Sequence, residues 1–205
     1  MYISPINENH DRDDIRAFMV ANSFATLVNT IDGKPHATHI PLLLTTDAGG
    51  NEVLSGHISK ANPQWKIFEK SDEVLVIFSG AHAYISSSWY DHPNVPTWNY
   101  IAVHIYGTLR IVDAETVYND LQKLVNHYEK TSENPVSVES MGEKMVRREM
   151  RGIVGFHIKI NEIQAARKLS QNRDDHNHTE IIKALEKQNE PNAAGIAEEM
   201  RKERG

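Results

Sequence analysis

The chain has 205 residues, a formal net charge of −6 and no cysteine. This length holds one sizeable core. The lack of cysteine excludes disulfides, thiolate nucleophiles and cysteine zinc sites, and the acidic balance argues against broad, nonspecific attraction to nucleic acid. No run approaches the roughly 18 apolar residues of a membrane helix, and Met1-Tyr2-Ile3-Ser4-Pro5 does not carry a basic segment followed by an apolar one, so a cytoplasmic protein is expected.

Ile15, Phe18, Met19 and Asn22 recur at helical spacing behind an acidic start, which predicts a helix over 11–22. Residues 24–31 read as a strand, Asp32-Gly33 as a hairpin turn and 34–45 as the returning strand. In that strand His36, Thr38 and Ile40 alternate with Ala37 and His39. A turn over 47–51 precedes a strand over 52–57, and Pro63 opens a helix over 63–70. The apolar run at 72–79 reads as a strand buried on both faces, with a short separate strand at 83–86. After a proline-punctuated loop, 97–112 alternates as a long strand with Asn99, Ile101, Val103, Ile105 and Gly107 on one side. Asp113 caps a helix reaching about residue 128; 141–150 is helical, 152–164 a last strand, 179–187 a short helix, and 191–205 a peripheral helix or frayed tail. Six or so strands, many joined by short hairpins, without strand–helix alternation, point to a mainly β fold: a closed or nearly closed antiparallel barrel with flanking helices.

Five groups of residues carry candidate chemistry. In residues 56–65 a strand runs into a turn bearing Ser59, Lys60 and Asn62. Hydroxyl, ammonium and a capped helix start together suit the phosphate tail of a cofactor, although Ser and Asn open many helices that bind nothing. Trp98, Asn99 and Tyr100 offer rings for stacking and a carboxamide for hydrogen bonding, or plain barrel packing. Residues 167–173 hold Arg167, Lys168, Ser170, Gln171 and Arg173, able to close over an anion or to stand as a solvated loop. His36, His39, His57 and the His176/His178 pair could serve a metal or haem iron, but no helix carries a paired-histidine motif. Lys144, Arg147, Arg148 and Arg151 fall on one helix face, with Glu143 and Glu149 beside them. A DNA contact is left open there, without a helix-turn-helix pattern.

The order of these stretches resembles the PaiB family. The resemblance rests on His39-Ile40-Pro41, Gly56-His57 with Asn62-Pro63-Gln64-Trp65, Phe78-Ser79-Gly80 with His82-Ala83-Tyr84-Ile85-Ser86, Val95 to Tyr100, and Lys168 to Arg173. It covers residues 1–173; Ala81 and Ser87 stand where the pattern has proline. The resemblance implies FMN-binding negative transcriptional regulators, repressors of protease synthesis and sporulation genes. It also implies a six-stranded antiparallel split β-barrel like that of pyridoxamine-phosphate-oxidase-like flavoproteins, which are homodimers with two FMN sites at the subunit interface. Residues 174–205 would form a C-terminal helical extension. The implied FMN contacts are His39, His57, Ser59, Lys60 and Asn62, then Trp98 and Asn99, then Ser170, Gln171 and Arg173. No catalytic residue or metal ligand is assigned. The rival readings are a flavin-dependent oxidoreductase or flavin reductase, and a haem-binding or haem-degrading split-barrel protein.

Overall fold

Seven strands form one sheet in the computed structural model, which describes residues 1–68 and 73–204. They are β1 (Phe24–Ile31), β2 (Lys34–Pro41), β3 (Leu43–Thr46), β4 (Glu52–Ser59), β5 (Glu73–Ile85), β6 (Thr97–Ile111) and β7 (Ile153–Lys168), in the spatial order β2-β1-β5-β6-β7-β4-β3. The helices are α1 (Arg12–Ala21), α2 (Ala114–Glu129), α3 (Val138–Met141), α4 (Glu143–Met150), α5 (Asp175–Glu186) and α6 (Pro191–Lys202).

The chain divides into two compact units. One comprises residues 23–77 and 105–163. Its β1–β2 hairpin pairs Phe24 with Pro41 through to Ile31 with Lys34. Asp32 and Gly33 both take positive φ, 49° and 77°, as a two-residue hairpin turn requires. β4 pairs antiparallel with both β3 and β7. Leu54, Gly56 and Ile58 share one face of β4, and a Cβ on Gly56 would lie 2.5 Å from Leu42 Cδ2. The opposite face, with Ser55 and His57, lies under α2: a Cβ on Gly155, the register partner of His57, would meet Val117 Cγ2 at 2.4 Å. Leu27, Leu54, Val76, Ile105, Leu109, Phe156 and Ile158 have no solvent exposure in this unit's core.

The other unit comprises residues 1–22, 78–104 and 164–205. Ile85, Leu169, Ile181, Leu185, Ile196 and Met200 are fully buried in one cluster with Ala83 and Ile101. Each such aliphatic side chain contributes roughly 1.5–3 kcal/mol by leaving water. Arg167 ties three elements by ion pairs to Asp14, Glu199 and Glu203 at 3.0, 2.8 and 3.1 Å.

Five expectations are corrected. The strand count is seven rather than six, and two boundaries moved. The strand expected over 34–45 breaks at Leu42, because Pro41 cannot donate to a ladder and the Leu42 amide bonds Ser23 O at 2.8 Å instead. The strands expected at 72–79 and 83–86 are one strand, β5. Gly80 does not interrupt it but admits the Phe18 ring, which would lie 2.5 Å from a Cβ there. The helix expected over 63–70 is a 3-10 segment, Pro63–Ile67; residues 69–72, including the end of that helix and the first residue of the strand expected at 72, lie outside the described residues. The tail expected to be peripheral or frayed is α6, with Ala193, Ile196, Ala197 and Met200 buried. A helical apolar spacing among its charges was the missed signal.

Candidate functional site

Backbone and neighbouring side chains hold the turn after β4 and leave its cationic group unused. Lys60 N donates to Gly152 O at 2.8 Å, and Asn62 N donates to Ser59 O at 2.9 Å. Ala61 N donates to Ser59 Oγ at 3.2 Å, and the Trp65 indole Nε1 donates to Lys60 O at 2.9 Å. Ser59 and Lys60 are exposed. The Lys60 ammonium has no bonding partner among the described residues, and the Ser59 hydroxyl, having accepted one bond, still has its proton to donate.

A buried amide network supports the turn. Gln64, 2% exposed, donates from Nε2 to Asn29 Oδ1 at 3.0 Å and to His36 O at 3.2 Å, while Thr38 Oγ1 donates to Gln64 Oε1. Asn62 Oδ1 accepts from Gln64 N at 3.0 Å, and its Nδ2 donates to Thr38 Oγ1 at 2.8 Å. Asn62 therefore spends its carboxamide on holding the turn against β2. Sequence reasoning missed Asn29, Thr38 and Gln64. The β2 alternation put Thr38 on the side of His36 and Ile40, but nothing local names its partner 26 residues away.

The two histidines implied as FMN contacts differ in environment. His39 lies on the outer side of β2, exposed, with Nδ1 3.0 Å from Thr26 Oγ1 and its ring stacked on Phe24 at 6.2 Å. His57 lies on the face of β4 under α2, lining a small cavity of about 20 Å3 with Val117 and Asp120 of α2. Burial pushes the His57 imidazole below its ordinary pKa, so it is neutral at pH 7. Asp120 bonds His157 Nε2 at 2.6 Å. Burial alone would raise the Asp120 carboxyl, but hydrogen bonds and charge from His157 and Lys123 outweigh it and hold the group below the usual carboxylate value.

The remaining five named residues all lie in the other unit, and three of them, Asn99, Ser170 and Gln171, spend their side chains on hydrogen bonds within it. Asn99 is fully buried; its Nδ2 donates to Ser170 Oγ at 3.0 Å, and Oγ lies 3.1 Å from Asn99 Oδ1. Ser170 has a φ of 61°, a left-handed turn locked by that pair. Gln171 Nε2 donates to Arg167 O, and its Oε1 accepts from Leu169 N at 2.8 Å. The Arg173 guanidinium sits over the Tyr90 ring, 5.1 Å from its centre, with its Nε unbonded. Trp98 is different: it is 54% exposed, with His82 and Tyr84 each 6.0 Å away between ring centres.

The cofactor implied by resemblance, FMN, ends in a phosphate. One free ammonium and one free hydroxyl proton on an exposed turn form a donor set that fits such an oxyanion. The 3-10 segment behind the turn is too short to add a helix dipole, so the fit rests on Lys60 and Ser59. No group of three metal-ligating side chains occurs among the described residues. His176 is exposed while His178 is buried. Of the basic face on α4, Arg147 is paired to Glu115 and Glu143 at 2.8 and 2.7 Å, and Arg148 to Glu149 at 2.9 Å. No described helix is long and apolar enough to cross a membrane.

Residues 1–162 match the family described as "Putative FMN-binding domain". The chain is 44% identical over 200 residues to "Protease synthase and sporulation protein PAI 2" of Bacillus subtilis, spanning 98% of this chain and 96% of that one. Its fold is similar to the FAD and heme binding protein from Mycobacterium smegmatis, with a TM-score of 0.62 at 16% identity, covering 84% of this chain and 78% of that one. The flavocytochrome Anf3 from Azotobacter vinelandii gives the same score and identity over 87% and 78%. At that identity the likeness shows the fold alone, a mainly β split barrel with flanking helices. With the family match over most of its length and the relative spanning nearly all of it, the chain belongs to the PaiB family of FMN-binding-domain proteins.

Proposed function

We propose that this protein is an FMN-binding negative regulator of gene expression, acting as a cytoplasmic homodimer on protease and sporulation functions. The observation that carries the flavin part is the turn at Ser59 and Lys60, built rigidly and left with unused donors. In this reading Lys60 Nζ and the Ser59 hydroxyl bond the cofactor phosphate. Asn62, Thr38 and Gln64 keep the turn in the shape that aims them, and the Trp65–Lys60 bond keeps it closed. FMN supplies reversible one- and two-electron chemistry at its ring when bound. The exposed Trp98, with Tyr84 and His82, is the aromatic surface offered to the partner protomer. Asn99, Ser170 and Gln171 frame the segment around it.

The regulatory part draws on the name of the Bacillus subtilis relative. Glutamates neutralise Arg147 and Arg148 on the α4 face, which leaves Lys144 and Arg151 as its cations without a carboxylate partner among the described residues. An indirect route, through the flavin or its ligand, is the reading that this charge pattern favours. The test is the absorbance spectrum of freshly purified protein, with an FMN titration and light scattering on the same sample. A flavin spectrum, saturable FMN binding and a dimer mass are expected. A protein that ignores FMN overturns the reading, and steady NAD(P)H consumption by the flavin-loaded protein replaces the regulator with an oxidoreductase.

A further inference from the structure

A cleft of about 360 Å3 opens where β6 ends and β7 begins, within the unit that holds the turn. This volume is at the lower end of the range for small-molecule sites, roughly 300–1,000 Å3. Val112, Val117, Ile153 and Val154 give it an apolar lining, and the exposed side chains of Lys60 and Arg151 complete it. A third cation, Arg147, also lines the cleft, but Glu115 and Glu143 already hold its guanidinium. Neither Lys60 nor Arg151 has a carboxylate partner among the described residues. The cleft thus joins an apolar surface to two unneutralised cations, one of them the planar fork that grips an oxyanion in two places.

The geometry points to a second ligand site: we infer that the cleft binds an organic anion with an apolar body, an aliphatic chain ending in a carboxylate or a phosphate. The apolar part rests on the valine and isoleucine wall, and the head group bridges Arg151 and Lys60. Lys60 is also the cation of the phosphate turn, and its four-carbon stem can serve only one anion at a time. Ligand and flavin phosphate therefore compete, which gives this site control over cofactor occupancy; this last step rests on the proposed flavin reading.

The test is calorimetric titration of the full chain, free of flavin, with octanoate and with octyl phosphate. Saturable binding of at least one is expected, and the tighter of the two identifies the head group. Arg151→Gln should weaken it about tenfold, the loss of a charged hydrogen bond. Arg148→Gln, which removes the same charge outside the cleft, should leave it within about twofold. No saturable binding at millimolar concentration overturns the site, and equal losses in the two variants reduce it to net charge. Added FMN should raise the apparent Kd for the anion in the wild-type protein but not in Lys60→Gln. FMN that binds without competing overturns the shared lysine and leaves the anion site standing. FMN that does not bind at all fails the flavin reading alone, because the anion titration needs no flavin.

Discussion

The turn at Ser59–Trp65 and the Asn99–Ser170 pair contain the same kinds of polar residue and put them to opposite uses. At the turn, buried amides carry the structural load, so Lys60 and Ser59 reach solvent with donors to spare. At the pair, carboxamide and hydroxyl are sealed in apolar surroundings and bond each other. An Asn or Ser in a motif thus says little about ligand binding until its partner is known. What marks a binding residue is a polar group the fold has left unspent.

Substitutions should separate the two regions, and the largest effect is expected beneath the turn. Gln64→Ala removes the donor to Asn29 Oδ1 and to the His36 carbonyl and the acceptor of the Thr38 hydroxyl, which costs about 3 kcal/mol in urea unfolding, and the loosened turn should bind FMN more weakly. Asn99→Ala leaves Ser170 buried without its partner and should cost about 2 kcal/mol. Because that pair is spent internally, the folded variant should bind FMN within about twofold of wild type, within the scatter of neutral changes. Lys60→Ala reverses the pattern: FMN affinity falls at least tenfold, about the value of one charged hydrogen bond, while the unfolding midpoint stays put.

A pH series sharpens the comparison by a different route. The folded His57 imidazole lies below its ordinary value of 6.5 because it is buried under α2. The unfolded chain therefore takes up its proton first as pH falls. Its contribution to stability is complete above 6.5 and is lost as pH drops toward the folded value. Thermal melts of His57→Gln should show a shallower acid slope than wild type. The smallest effect belongs to Trp98→Ala: so exposed a ring should change stability by under about 0.5 kcal/mol. Its signature is instead a shift from dimer to monomer in light scattering.

Much of this was legible in the sequence because local rules sufficed. Asp32-Gly33 reads as a hairpin turn, Asp113 caps α2 through the Glu115 and Thr116 amides, and the β6 alternation put Asn99 on the side of Ile101, Val103 and Ile105, which the structure buries. The turn residues Ser59, Lys60 and Asn62 could be named from their chemistry. Their division of labour could not, because Asn62 is diverted by Thr38, which is distant in the chain. The Ser170–Asn99 bond spans 71 residues and the Arg167 ion pairs up to 153, beyond any periodicity argument. The break expected between 79 and 83 fails for a related reason: β5 runs on through Gly80, where Phe18 of α1 needs room.

The central claim is that the Ser59–Lys60 turn holds a flavin phosphate. Parallel fluorescence titrations with FMN and with riboflavin, which lacks that phosphate, test it most directly in the wild-type protein and in a Ser59→Ala, Lys60→Ala double variant. The account predicts that wild type prefers FMN by at least about tenfold and that the variant binds the two flavins alike. A preference for FMN that survives the double substitution would contradict it.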